Sequence, residues 1–301
     1  MSFRHAYKVL SQREAARNEF TIPVHYPTPQ HAFYSVVRSL KHRGDNRYSN
    51  ILAYDRTAVC TPLDHSPGSK TPYLNANIVS DGKTWWVAAQ APTPTTFPHF
   101  FQAIYERTAS KHPLLNSGSN DTASATRGKP AILVQLTGWE ERGVPKADKY
   151  LADSTFGPLA VQMGEGEWRE DLQSQVTTIT INEMKVLHYH FEAWPDHGVP
   201  NGQGVEALRR LIREVEEKRE GEVWVHCSAG VGRTGTFIAL SSLLHEHTGS
   251  IPLPESPLGP LPRELEGDRV AHTVDQMREW RGMLVQGPEQ LRLIYDMAEG
   301  R

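Results

Sequence analysis

Residues 223–235 read VWVHCSAGVGRTG. A short apolar run of this kind forms a buried strand, and it leads into a loop of small residues and a helix start. Ser228, Ala229, Gly230 and Gly232 let the backbone curl without side-chain clashes, so that consecutive amide N–H groups converge on one point. That point lies at a helix N-terminus, which favours an anion. Arg233 stands six positions after Cys227, and its planar fork can grip two oxygens. The predicted object is a cradle for a tetrahedral oxyanion, formed by Ser228, Ala229, Gly230, Val231, Gly232 and Arg233, with the sulfur of Cys227 beneath it.

The loop amides, the helix start and Arg233 all favour the thiolate of Cys227 over the thiol, so its pKa is expected to be lowered. A thiolate facing a bound phosphoryl group is set for in-line attack on phosphorus. Thr234 can donate a hydroxyl hydrogen bond to the sulfur and ease its departure in a second step. His226 is expected to orient the loop and tune the thiol rather than act as a base. Taken singly, Cys227 reads as a buried core cysteine and the glycines as an ordinary turn. The whole strand–HCSAGVGRTG–helix string favours the chemistry.

Five further segments accompany it: NRYSNILAYD at 46–55, YLNAN at 73–77, AAQAPTPTTFPHFF at 88–101, WPDHGVP at 194–200 and QGPEQLRLIY at 286–295. With HCSAGVGRTG, which contains HC(x5)R(S/T)G, they resemble in type and order the classical, non-receptor-like protein tyrosine phosphatases. The resemblance runs from about residue 20 to the end of the chain.

It implies a phosphatase that hydrolyses phosphotyrosine in proteins through a covalent phosphocysteine at Cys227, with no metal and no cofactor. Asp196, on a mobile loop with Trp194 and Pro195, takes the role of general acid toward the tyrosyl oxygen and then of base toward water. Tyr48 resembles the ring that stacks on the substrate and sets the pocket depth, which shuts out phosphoserine and phosphothreonine. Asn50 stands where the family has an Asp that accepts from substrate backbone amides; it accepts without the charge. Gln286 resembles the residue that positions water, with Gln290 as its helper. Glu141 and Lys146 fall in a loop like the one that supports Arg233 and the acid loop. Ala91 replaces the usual Gly after Gln90. A non-catalytic phosphotyrosine-binding module would lack Cys227 or Asp196, and both are present. A dual-specificity or phosphoinositide phosphatase shares Cys(x5)Arg, but Tyr48 and the small, uncharged SAGVG argue against it.

The elements that hold these residues follow from periodicity. A short surface helix is predicted in the first twenty residues and a second over Phe33–Leu40. Arg43–Ser80 reads as loops with short extended pieces, Trp85–Ala89 as a strand, and Thr96 as the cap of a helix over Phe97–Thr108. Ala131–Leu136 and Glu222–His226 have the profile of central strands. Gln175–Ile181 and Val186–Glu192 flank Asn182-Glu183-Met184-Lys185 as a hairpin. Helices are predicted at 204–220, 234–247, 269–282 and 288–299. The stretches 115–129 and 250–268 read as flexible insertions. Elements of one sheet lie on both sides of each insertion. The expectation is therefore one α/β domain over 1–301, with a highly twisted mixed sheet flanked by helices.

Composition sets the outer limits. Of 301 residues, 38% are hydrophobic and 22% charged, which are globular values. The 32 Lys and Arg against 35 Asp and Glu give a net charge of −3, which does not suit a nucleic-acid binder held by bulk charge. Two cysteines, Cys60 and Cys227, exclude a disulfide scaffold and a Cys-rich zinc site, and they suit a reducing compartment. Cys60 is expected to be buried and inert. His188 and His190 stand at i,i+2 with no third ligand near, so no metal site is expected. The apolar run at 236–244 falls far short of the roughly 20 residues of a membrane span, and no secretory signal opens the chain. A cytoplasmic monomer with access to the nucleus is the expectation. Its partners would be phosphotyrosine proteins, with no nucleic acid and no membrane insertion. The prolines of 250–262 offer a weaker docking segment for an SH3-like partner.

Overall fold

Residues 3–59, 72–116, 121–195 and 198–300 are described by the structure, a computed structural model. In chain order they form α1 (Phe3–Phe20), α2 (Pro29–Phe33), α3 (Val37–Lys41), β1 (Ala76–Ser80), β2 (Trp85–Ala89), α4 (Phe97–Tyr105) and α5 (Thr122–Ala125). There follow β3 (Ala131–Gln135), β4 (Glu140–Glu141), β5 (Val144–Pro145), β6 (Ser154–Phe156), β7 (Leu159–Arg169), β8 (Ser174–Ile181) and β9 (Met184–Phe191). The chain ends with α6 (Gln203–Glu217), β10 (Val223–His226), α7 (Gly232–Leu244), α8 (Arg269–Arg278) and α9 (Pro288–Ala298).

Eight strands pair in the order β1-β2-β10-β3-β9-β8-β7-β6, and β4 and β5 make a separate hairpin. β2, β10, β3 and β9 run parallel, and the outer pairs are antiparallel, so the sheet is mixed as expected. The central strands are covered on both faces, which is why β10 and β3 are near-continuous apolar runs. Trp86, Trp224 and Trp280 are fully buried in the main core. α6 turns Leu208, Leu211, Ile212 and Val215 inward at helical spacing, each worth about 1.5–3 kcal/mol of burial. α7 packs on β10 and β2, α8 and α9 pack on α7, and α1 lies across α8 and α9.

Several expectations change. The first helix is 18 residues long and is no mere surface element: it buries Ala6, Val9 and Leu10, and also Glu14 and Arg17. The helix over Phe33–Leu40 is split. Asp55 breaks it by accepting from the Ser35 hydroxyl at 2.5 Å and from the N–H groups of Val37 and Arg38, which start α3. Thr96 stands at the N-cap of α4 as expected, but its side chain makes no capping bond there; its hydroxyl accepts the Thr93 N–H at 2.9 Å in the preceding turn, and the helix ends at Tyr105. The hairpin closes on Asn182 and Glu183 alone, with Asn182 at φ 52°.

Within 115–129, Leu115 is fully buried and the Thr122 hydroxyl donates to Ser110 O at 2.6 Å; residues 117–120 lie outside the described ones. The Pro-rich stretch 250–268 packs by Ile251, Leu261 and Leu265. Arg13 holds it from α1, donating to the carbonyls of Leu258, Gly259 and Pro260 while pairing with Asp275 at 2.9 Å. Among the described residues no helix is long and apolar enough to cross a membrane.

Candidate active site

Cys227 follows β10 directly and Gly232 opens α7, so the intervening loop joins a buried strand end to a helix start. The loop carbonyls are all drawn outward. Ser228 O accepts the Ala91 N–H at 3.0 Å, and Val231 O accepts the Val285 N–H at 3.2 Å. Arg281 donates to Gly230 O at 2.8 Å and to Ala229 O at 3.2 Å. With four successive carbonyls engaged behind it, the loop turns its amides toward the sulfur. The Gly230 N–H donates to Cys227 Sγ at 3.3 Å. Gly230 is required on two counts: its φ is 72°, and a Cβ there would stand 2.1 Å from Ala89 O.

Arg281 is buried and itself fixed by Asn77 Oδ1 and Asn75 Oδ1, each at 2.8 Å. Burial lowers its pKa to about 10, which leaves it charged at neutral pH. His226, fully buried, donates from Nδ1 to Cys227 O at 3.0 Å, and the Tyr150 hydroxyl lies 2.7 Å from Nε2. Burial lowers its pKa to about 4, so the ring is neutral and holds the loop. Thr234 Oγ1 is buried and, among the described residues, has no hydrogen-bond partner, so the expected bond to Cys227 Sγ is not made.

Arg233 lies at the mouth. Glu141, on the β4–β5 hairpin, clamps it with both carboxylate oxygens, one at 2.9 Å. The guanidinium also donates to Leu136 O, to the Thr137 hydroxyl and to Pro195 O, each at 3.2 Å. Burial opposes the Glu141 carboxylate, but Arg233 and the Thr137 hydroxyl outweigh it and hold its pKa below the ordinary range. The Pro195 contact ties the segment that follows β9 to the cradle. Trp194 is buried in that segment, its indole N–H donating to Gly198 O at 3.3 Å. Asp196 lies outside the described residues.

A cavity of about 390 Å³ opens above the sulfur. Tyr48, Asn50, Glu141, Lys146, Cys227, Ser228, Ala229, Gly232, Arg233, Gln286 and Gln290 line it, as do Ile51, Thr137 and Gly198, which sequence reasoning did not single out. The Tyr48 hydroxyl donates to Ser228 Oγ at 2.8 Å, while Ser228 donates to Lys146 O at 2.7 Å. Gln290 Oε1 accepts the N–H groups of Gln286 and Gly287 at 3.0 and 3.1 Å. Its amide reaches over Gly232, where a Cβ would stand 2.8 Å from Nε2. Gly230 and Val231 complete the loop behind the lining. Arg281 was missed; a charged side chain among apolar neighbours in MREWRGML is its only trace in the sequence.

The His188 and His190 rings lie 6.3 Å apart. His190 Nε2 donates to Thr137 O at 2.9 Å, and burial drives His188 toward the neutral form. No group of three or more His, Cys, Asp or Glu side chains is gathered for a metal among the described residues.

The family model described as Protein-tyrosine phosphatase matches residues 42–122 and 124–299. The chain belongs to that family. Tyrosine-protein phosphatase 2 of Schizosaccharomyces pombe is 29% identical over 273 residues, which is 87% of this chain and 34% of that protein. Receptor-type tyrosine-protein phosphatase H of Homo sapiens is 32% identical over 276 residues, covering 86% and 21%. Receptor-type tyrosine-protein phosphatase F of Danio rerio is 32% identical over 222 residues, covering 68% and 10%. The chain thus spans about a third or less of the length of these relatives. The fold likeness extends to the solved structure described as "Structural basis of PTPN18 fingerprint on distinct HER2 tyrosine phosphorylation sites", with a TM-score of 0.71 at 22% identity, over 99% of this chain and 94% of that one. Receptor-type relatives match, so the family is assigned without a subtype, and the non-receptor character rests on the sequence resemblance.

Proposed function

We propose that residues 1–301 form one catalytic domain that hydrolyses phosphotyrosine in proteins through a phosphocysteine at Cys227. The observation that carries this reading is the sulfur at the floor of the cavity, with the Gly230 N–H 3.3 Å away and Arg233 at the mouth. The phosphoryl group occupies the cradle, its oxygens held by the loop amides and Arg233. Sγ attacks phosphorus while the P–O bond breaks, and its electron pair passes to the tyrosyl oxygen, which takes the proton of Asp196. Water aligned by Gln286 then attacks phosphorus, and Asp196 takes its proton. The P–S pair returns to Cys227, whose thiolate the Gly230 N–H faces; a Thr234 bond to the sulfur needs that hydroxyl to turn toward it.

Tyr48 forms a wall of the cavity and gives it the depth that a phosphotyrosine needs. Asn50 weakens the hold on the peptide backbone without touching the chemistry. The same exposed chemistry makes the sulfur a target for peroxide, with thiol restoring activity. We place the domain in the cytoplasm, with access to the nucleus, as a monomer. The Pro-rich stretch at 250–262 is held by Arg13 at 258–260 and keeps Pro252 and Leu253 exposed, where a weak partner contact through 250–262 remains part of this reading.

The test uses the wild type, Cys227→Ser and Asp196→Ala on a phosphotyrosine peptide and a matched phosphoserine peptide, with chelator present. Release from phosphotyrosine alone is expected, abolished by Cys227→Ser and strongly slowed by Asp196→Ala. Equal turnover of phosphoserine would move the chain to the dual-specificity class. Tight phosphopeptide binding with no turnover would make it a binding module.

A further inference from the structure

The loop that carries Gln286 is preceded by two non-glycine residues in the left-handed region, Met283 at φ 62° and Val285 at φ 60°. A β-branched residue there persists only where its surroundings hold it. The holding contacts come from α1. Glu14 Oε1 accepts the Met283 N–H at 2.8 Å. The other carboxylate oxygen lies 3.5 Å from Arg278 Nε and 3.6 Å from Arg17. Arg278 donates to Leu284 O, Val285 O and Leu10 O, each at 2.8 Å, and so ties the same segment to α1 a second time. The Tyr7 hydroxyl reaches Gln286 O at 3.5 Å. Gly282 leaves the space that Glu14 uses, since a Cβ there would stand 3.2 Å from Oε1. Glu14 is buried, and the proposed chemistry makes no use of it.

We propose that Glu14 is a positioning residue for the second half-reaction, holding segment 283–285 so that Gln286 faces the sulfur. The proposal rests on the phosphocysteine reading above. In that step the water oxygen bonds to phosphorus, the P–S bond breaks with its electron pair returning to Sγ, and the water proton passes to the Asp196 carboxylate. The products are thiolate, inorganic phosphate and protonated Asp196. The first step needs the cradle, the thiolate and the acid. Three of the four cradle carbonyls are held by Arg281 and Ala91, independently of α1. Release of 283–286 loses only the Val285 hold on Val231 O and leaves the other three in place, so it slows the second step far more than the first.

The test is stopped-flow release of nitrophenolate from p-nitrophenyl phosphate by the full chain, with Gln286→Ala as the reference phenotype. Glu14→Ala is expected to keep its first-turnover rate while kcat falls by about tenfold, as a displaced positioning group does. A burst approaching one nitrophenolate per Cys227 then precedes the steady state. Glu14→Gln keeps an acceptor for Met283 but loses the charge facing Arg278. It shows the same split at smaller size, and it carries the test if Glu14→Ala does not fold. First-turnover and steady rates that fall together in the folded variants, or a kcat that does not change, overturn the proposal. Wild-type release that is absent, or that survives Cys227→Ser, overturns the phosphocysteine reading and the role of Glu14 with it.

Discussion

The guanidinium of Arg281 donates to the carbonyl of Gly230 at 2.8 Å, on the side of the loop away from the sulfur. The pair links a buried charge to the direction in which the cradle's amides point. Arg281→Met leaves four acceptors behind it without a donor: Gly230 O, Ala229 O, Asn77 Oδ1 and Asn75 Oδ1. Each buried orphan costs about 1–3 kcal/mol. The variant is expected to melt well below the wild type and to lose orthovanadate binding, as followed by calorimetry. Wild-type vanadate affinity in a folded Arg281→Met would show that the loop keeps its shape unaided.

Glu141 sets the orientation of Arg233 through a two-oxygen clamp. Glu141→Gln keeps the shape but removes the charge. The kcat/KM for p-nitrophenyl phosphate is expected to fall about a hundredfold, because a misplaced fork cannot grip two oxygens at once. The melting temperature, measured alongside, is expected to fall as well, since the clamp is largely buried and Glu141→Gln leaves Arg233 without its counter-charge.

Glu222 gives a pH dependence of stability with a definite sign. It is fully buried where β10 begins, and burial raises its pKa from 4.5 to about 7 against the Ser110 and Trp224 N–H donors. A carboxyl raised on folding gives stability that is full below pH 4.5 and is lost as pH rises through about 7. Urea midpoints at pH 6 and pH 8 should therefore differ more in the wild type than in Glu222→Gln. Equal slopes for both would remove Glu222 as the cause.

The buried histidines act in the opposite direction. Burial lowers His226 and His112 from 6.5 to about 4, and His188 well below its ordinary value. Their stability contribution is present above pH 6.5 and is lost as pH falls through about 4. Together with carboxylates held low by their cations, such as Asp275 and Glu141, these histidines predict a steep acid transition, and His188→Gln should shift its midpoint to lower pH. An unshifted midpoint would place the transition elsewhere.

The chemical centre was the most legible part of the sequence, because small residues, a nucleophile and an arginine have few other reasons to share ten positions. β7 was not legible. Its sequence, LAVQMGEGEWR, buries only Leu159 and Val161, so it offers no apolar run to find. The length and the packing of α1 were hidden for a related reason: Glu14 and Arg17 face the interior, and charged residues read as surface. Arg281 and Arg278 escaped in the same way. The Pro-rich stretch looked mobile because its anchor, Arg13, lies some 240 residues away in the chain.

β10 pairs with β2 on one side and β3 on the other, although both are synthesised long before it. During translation β2 and β3 leave the ribosome with a vacant place between them, each showing a raw edge. Neither can close until residues 223–226 arrive. The same strand leads directly into Cys227, so the proposed nucleophile is delivered by the event that completes the sheet. A nascent or truncated chain lacking β10 and Cys227 therefore exposes sheet edges and, on the proposed chemistry, has no nucleophile. Competence at the sulfur becomes a report that the middle of the protein has closed.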